Sequence, residues 1–143
     1  MPNIKKYIPY IAWFIAMSSM LGSLYFSEVL KLPPCVLCWY QRILMYPLVA
    51  IIPIGIANMD KKFYRYVLPM STLGMMIAFY HYLLYAKIIP DTYAPCSTGV
   101  SCTTRLIEWF GGLVNIPLLS FVSFTLITLL MIVYSKNQEN ESR

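Results

Sequence analysis

The sequence predicts an all-α membrane protein, a bundle of four transmembrane helices with two outer loops that each carry a pair of cysteines. Three observations predict it. Hydrophobic residues make up 59% of the 143 residues and charged residues only 12%, a balance far from that of soluble domains. Four apolar stretches each reach the roughly 20 residues that a helix needs to cross a bilayer. The basic residues collect in alternate connecting segments, as a multi-pass topology requires. The spans are about 7–27, 39–58, 66–86 and 114–134, and they use nearly the whole chain, residues 1–143, as a single integral membrane domain.

The first span follows Lys5 and Lys6 and resembles a secretory signal at its start. Its uncharged run from Tyr7 to Ser27 is longer than a signal core of roughly 7 to 15 residues, and no small-x-small cleavage site closes it, so it is expected to remain as a helix. Ser18 and Gly22, like Ser19 and Ser23, are spaced by four. That spacing either permits close helix contact or reflects the ordinary use of small residues in membranes.

The second span opens on Cys35-Val36-Leu37-Cys38, just after Pro33-Pro34, with Arg42 one turn beyond Cys38. With helix from about Cys35 onward, Cys35, Cys38 and Arg42 stand at i, i+3 and i+7 on one face. A thiolate near a helix N-terminus and an arginine is stabilised and becomes nucleophilic. A charge inside a span costs about 2.5 to 3.5 kcal/mol, so Arg42 is expected to have a function or a partner; snorkelling to the nearby surface is its plainer explanation. Tyr46, one turn deeper, and Tyr80 and Tyr82 in span three read as packing or interface aromatics.

A short turn at Met59 to Phe63 makes spans two and three an antiparallel hairpin, and span three carries the only histidine, His81, near its far end. The segment from Lys87 to about Asn115 holds Pro90, Pro95, Gly99, Cys96 and Cys102, then an apolar stripe of Leu106, Ile107, Trp109, Phe110 and Leu113. That stripe is expected to lie flat on the membrane surface. The tail from Lys136 onward is polar and expected to fray.

Orientation follows from charge. Lys5, Lys6, Lys61, Lys62, Arg65, Lys136 and Arg143 fall on one side; Lys31, Lys87 and Arg105 fall on the other, beside Glu28, Asp91 and Glu108. The positive-inside rule then makes the protein a multi-pass cell-membrane protein with both termini cytoplasmic and the cysteine loops extracytoplasmic, where disulfides persist. The net charge of +5 is a topology signal, and no nucleic-acid partner is expected.

Four cysteines admit three chemistries: a metal site, two inert bridges, or redox exchange. A four-cysteine zinc site pairs two tight knuckles, and the five residues between Cys96 and Cys102 are too many. No metal is therefore expected, and redox exchange is favoured because C-x-x-C recurs as a low-pKa dithiol.

The run LYFSEVLKLPPCVLCWYQR, from Leu24 to Arg42, together with PCSTGVSC and EWFGGLVNIP further on, resembles the DsbB family of quinone-dependent thiol oxidases. The likeness is greatest to its Gram-positive BdbC branch and covers essentially the whole chain. The vitamin K epoxide reductase family is similar in chemistry but has the loop pair before the C-x-x-C. The resemblance implies a disulfide bond formation enzyme, a thiol:quinone oxidoreductase that reoxidises an extracytoplasmic thioredoxin-fold thiol oxidase, DsbA- or BdbD-like, and passes the electrons to a menaquinone or ubiquinone in the membrane. Cys96 and Cys102 match the distal pair that meets the partner. Cys35 and Cys38 match the proximal pair, with Cys38 as the thiolate beside the quinone and Cys35 exchanging with the distal pair. Arg42 matches the arginine near the quinone. His81, at the depth of Arg42, is expected to contact the quinone, to relay a proton, or simply to bridge helices. Pro95 and polar surroundings make Cys96 the more accessible distal sulfur. The rival from another class is a structural four-span protein whose loops are stapled by two inert disulfides.

Overall fold

In a computed structural model, residues 2–96, 99–103, 111 and 115–143 are described. Four helices carry the chain: α1 Pro2–Leu24, extended by a π-helical turn at Tyr25–Val29, α2 Val36–Ala57, α3 Tyr64–Tyr85 and α4 Ile116–Ser142. Each is long and apolar enough to cross a membrane. Contacts run from α1 to α2, α2 to α3, α3 to α4 and α4 back to α1, which closes the predicted four-helix membrane bundle. Large apolar side chains such as Phe14, Ile43, Leu73, Met76 and Leu129 point outward; that is stable only against lipid.

Local chemistry sets the ends. Pro33 and Pro34 keep the chain before α2 extended, and Cys35, at φ −75° and ψ 171°, caps the helix by accepting the Cys38 N–H on its sulfur. Asn115 caps α4 through its side chain, accepting the Leu118 N–H at 2.9 Å. Pro117 follows in the first turn, where its missing N–H leaves no bond unmade. Met59 and Lys87 take positive φ values just past α2 and α3, the left-handed step that ends many helices. The tail expected to fray from Lys136 instead continues α4 to Ser142, because Lys, Gln and Glu favour helix as strongly as most apolar residues do. The apolar stripe from Leu106 to Leu113 lies outside the described residues.

The larger apolar core fills the half of the bundle that contains the turn from α2 to α3. Leu48, Ile52, Val67, Ile127 and Met131 are fully buried there, and the buried Phe124 ring stands between this core and a cavity in the other half. A Cβ on Gly74 would collide with the Phe124 ring, and one on Gly55 with Phe63, so both glycines are what let neighbouring side chains come this close. Polar groups are satisfied across the interface: the Thr128 hydroxyl donates to Ser71 at 3.0 Å. Pro53 has no N–H for the Val49 carbonyl, and the Trp13 indole N–H of α1 donates to it at 3.1 Å, repairing the gap a proline leaves in a membrane helix.

Candidate redox site

The opposite half of the bundle is built differently. The cap at Cys35 folds its sulfur back over the first turn of α2, 2.8 Å from the Cys38 sulfur. Cys35 thus stands just outside the helix that was expected to begin with it, yet the two thiols still meet. The Cys35 thiol is pulled down from its ordinary value of 9.0 to about 4. The hydrogen bond from the Cys38 thiol is the main cause; burial opposes it, and the His81 ring adds to it. Such a pair shares one proton and holds one thiolate.

His81 reaches in from α3 and is 3% exposed. Its Nε2 lies 3.7 Å from the Cys35 sulfur and 3.3 Å from the carbonyl oxygen of Cys102. A carbonyl can only accept, so Nε2 carries the proton, and Nδ1 accepts from the Gln41 amide at 3.0 Å. Cys96 and Cys102 form a disulfide with Cα atoms 5.8 Å apart. Cys102 is buried and Cys96 half-buried, and Cys102 shares a buried apolar cluster with Cys35, Leu37 and Leu84. The fold therefore brings both cysteine pairs, from loops that are remote in sequence, onto one histidine.

Below the dithiol lies a cavity of about 380 Å³ lined by residues of all four helices. Arg42 borders it. One guanidinium N–H donates to the Ser23 carbonyl at 3.0 Å, where α1 widens into its π turn, and the group lies 5.6 Å from the Trp39 ring centre. Among the described residues, two buried side-chain polar atoms have no hydrogen-bond partner, Arg42 Nε and Tyr46 Oη, and both residues line this cavity. Unpaired buried donors are rare and call for an acceptor. Ser18, Ser19, Gly22 and Ser23 also line it, and a Cβ on Gly22 would meet nothing within 4 Å. At Gly22, therefore, small size makes room and does not seat a neighbouring helix.

Two residues that border this site were not singled out from sequence. Tyr46 was read as a packing aromatic, although Cys38, Arg42 and Tyr46 follow one another at helical spacing and so share a face. Gln41 carried no signal of its own, because nothing in the sequence says that its neighbour is His81, 40 residues away.

Comparisons with known proteins point the same way. The family model described as "Disulfide bond formation protein DsbB" matches residues 5–134. The chain is similar to "Disulfide bond formation protein C" of Bacillus subtilis (strain 168), 47% identical over 85% of this chain and 88% of that protein. It is also similar to the "Probable disulfide formation protein C 2" of Bacillus anthracis, 46% identical over 99% of this chain and 100% of that protein. The protein of the same name from Bacillus cereus (strain ATCC 10987 / NRS 248) is 44% identical over 96% of this chain and 98% of its own. No solved structure matches the chain significantly.

Proposed function

This chain belongs to the DsbB family of disulfide bond formation proteins, and from that premise we propose that it is a membrane thiol:quinone oxidoreductase. It is a thiol oxidoreductase by its family, which sets aside the reading of two inert staples. In the proposed route a reduced thioredoxin-fold oxidase, DsbA- or BdbD-like, attacks Cys96, the more exposed distal sulfur, and Cys102 leaves as a thiolate. Cys102 attacks Cys35 of an oxidised proximal pair, forming one disulfide and releasing Cys38 as a thiolate toward the cavity. Each exchange moves one disulfide and two electrons, with no net loss of bonds. The observation that carries this reading is the placement of His81 between the Cys35 sulfur and the Cys102 carbonyl.

The residues around the cavity suit a quinone, menaquinone or ubiquinone. Its walls are largely apolar, and the two unpaired donors, Arg42 Nε and Tyr46 Oη, match the two carbonyl oxygens of such a ring. Bound there, a quinone supplies the two-electron acceptor. Arg42 would hold an oxygen and offset negative charge, and Cys38 would face the ring. His81, beside the sulfurs and fixed by Gln41, holds a proton at Nε2 that would stabilise a thiolate on Cys35 once the proximal pair is reduced.

The chemistry requires the cysteines to face the oxidising side, in keeping with the charge bias of the loops. Reporter fusions after Lys62 and after Lys136 are expected to read cytoplasmic, and one at Thr98 external; a cytoplasmic Thr98 defeats the mechanism. The direct test is quinone reduction by the purified protein when a reduced thioredoxin-fold oxidase is added. Oxidation of that partner without quinone consumption would leave a thiol oxidoreductase of another kind.

A further inference from the structure

We propose that reduced Cys35 and Cys38, together with His81, form a binding site for a borderline-soft divalent metal ion of the zinc type, a site that exists only while the proximal pair is reduced. This ligand set differs from the four-cysteine arrangement that the loop spacing excludes. The ligand atoms of the three residues all lie within 4.8 Å of one another. In a tetrahedral site with Zn–S near 2.3 Å and Zn–N near 2.05 Å, a sulfur and a nitrogen stand about 3.6 Å apart and two sulfurs about 3.8 Å. Cys35 Sγ and His81 Nε2 are 3.7 Å apart. The two sulfurs, now at 2.8 Å, need to part by about 1 Å, which a modest χ1 rotation supplies.

The surroundings complete the case. C-x-x-C at a helix N-terminus is a common zinc knuckle, and sulfur with imidazole selects zinc-like ions over calcium or magnesium. Metal-bound histidine almost always donates its other ring N–H to an acceptor, and Gln41 stands 3.0 Å from Nδ1 for that purpose. On binding, the His81 proton moves to Nδ1 and the Gln41 amide turns to offer its oxygen. An amide can serve either tautomer, whereas a carboxylate or an ammonium could not. All three ligand residues line the cavity, which leaves the fourth position open. The pair gives the one proton that its sulfurs share to solvent on ligation, and no electron is transferred.

Two consequences follow. Ligated sulfurs cannot close into a disulfide, so metal and oxidation exclude each other. Ligation through Nε2 also takes the His81 N–H away from the Cys102 carbonyl, loosening the distal loop from the proximal pair. The effect on turnover rests on the relay proposed above; the site itself requires only a reduced pair.

The test uses the full-length Cys96→Ser/Cys102→Ser chain in detergent, reduced and freed of reductant without air, so that Cys35 and Cys38 are its only thiols. Co²⁺ is expected to bind one per chain with thiolate charge-transfer and tetrahedral d–d absorption, and Zn²⁺ to displace it. The same chain with its proximal disulfide closed, which needs no further substitution, should give neither signal. Gln41→Leu is expected to weaken binding about 10- to 100-fold, and His81→Gln by at least as much, with circular dichroism confirming the fold. Equal affinity in His81→Gln would reduce the site to a bare dithiol chelate, and binding to the oxidised chain would remove the cysteines from it; either result overturns the proposal. Quinone reduction measured without metal reports on the relay alone, so the two ideas fail separately.

Discussion

Gly74 and Gly22 are both small residues on membrane helices, and they do opposite things. A side chain on Gly74 would strike Phe124, while one on Gly22 would enter open space. The first sits among the fully buried Leu48, Val67, Ile127 and Met131, and the second borders the cavity beneath Cys38. In lipid the hydrophobic effect does not draw helices together, so contact has to come from dispersion and hydrogen bonds between well-fitted surfaces. The packed half supplies that contact. The open half is free to keep a cavity, two unpaired donors and a π turn because the other half holds the bundle together.

The comparison breaks most visibly at the thiols. Cys38→Ser is expected to reduce quinone reduction to background while leaving the thermal midpoint of the detergent-solubilised protein in place, since Cys38 lies on the open side. A large drop in the midpoint would make it a packing residue instead. Arg42→Ala should act mainly on the apparent KM for quinone, by roughly 10- to 100-fold, the worth of a hydrogen bond from a charged group. It should also loosen the end of α1, whose Ser23 carbonyl loses its guanidinium donor. Unchanged quinone kinetics in a folded Arg42→Ala protein would show that the residue serves only to join α1 and α2.

The two glycines sharpen the contrast. Gly74→Ala should destabilise by about 1–3 kcal/mol, the usual result of overpacking, and because the displaced Phe124 ring also lines the cavity, it should raise the KM for quinone less than filling the cavity directly does. Gly22→Leu should change stability by no more than about 0.5 kcal/mol while raising the KM for quinone, because it fills the cavity. Equal loss of stability in both variants would mean that the cavity collapses and repacks and is not held open.

The smallest effect concerns protons. Because the folded protein depresses the Cys35 thiol from 9.0 to about 4, its contribution to stability is fully present above about pH 9 and is lost progressively as the pH falls toward 4. In the reduced Cys96→Ser/Cys102→Ser protein, the ultraviolet absorbance of one thiolate should persist through neutral pH and vanish as the pH passes about 4. Its disappearance near pH 8 would place an ordinary thiol at the cap and remove the influence of Cys38 and His81.

Much of this was legible from the residues alone. Length and hydropathy alone dictate four spans, since a backbone in lipid must satisfy its own hydrogen bonds and helices of about 20 residues are how it does so. Pro33-Pro34 before a C-x-x-C likewise places a dithiol at a helix start. The run from Leu24 to Arg42 resembles one family closely enough to name it. Polarity misled at the tail after Lys136, where helix propensity outlasts hydrophobicity, and spacing left Ser18 and Gly22 open, because the same pattern serves contact or cavity.

What the tertiary structure alone decided is which groups meet. His81 joins Gln41, Cys35 and Cys102 across 40, 46 and 21 residues of chain, and no local pattern encodes those distances. Tyr46 likewise becomes an unpaired donor only because the helices around it part to leave a cavity. Sequence determines each element through interactions within a few turns. The site arises from long-range packing, where shape and not spacing chooses the neighbours.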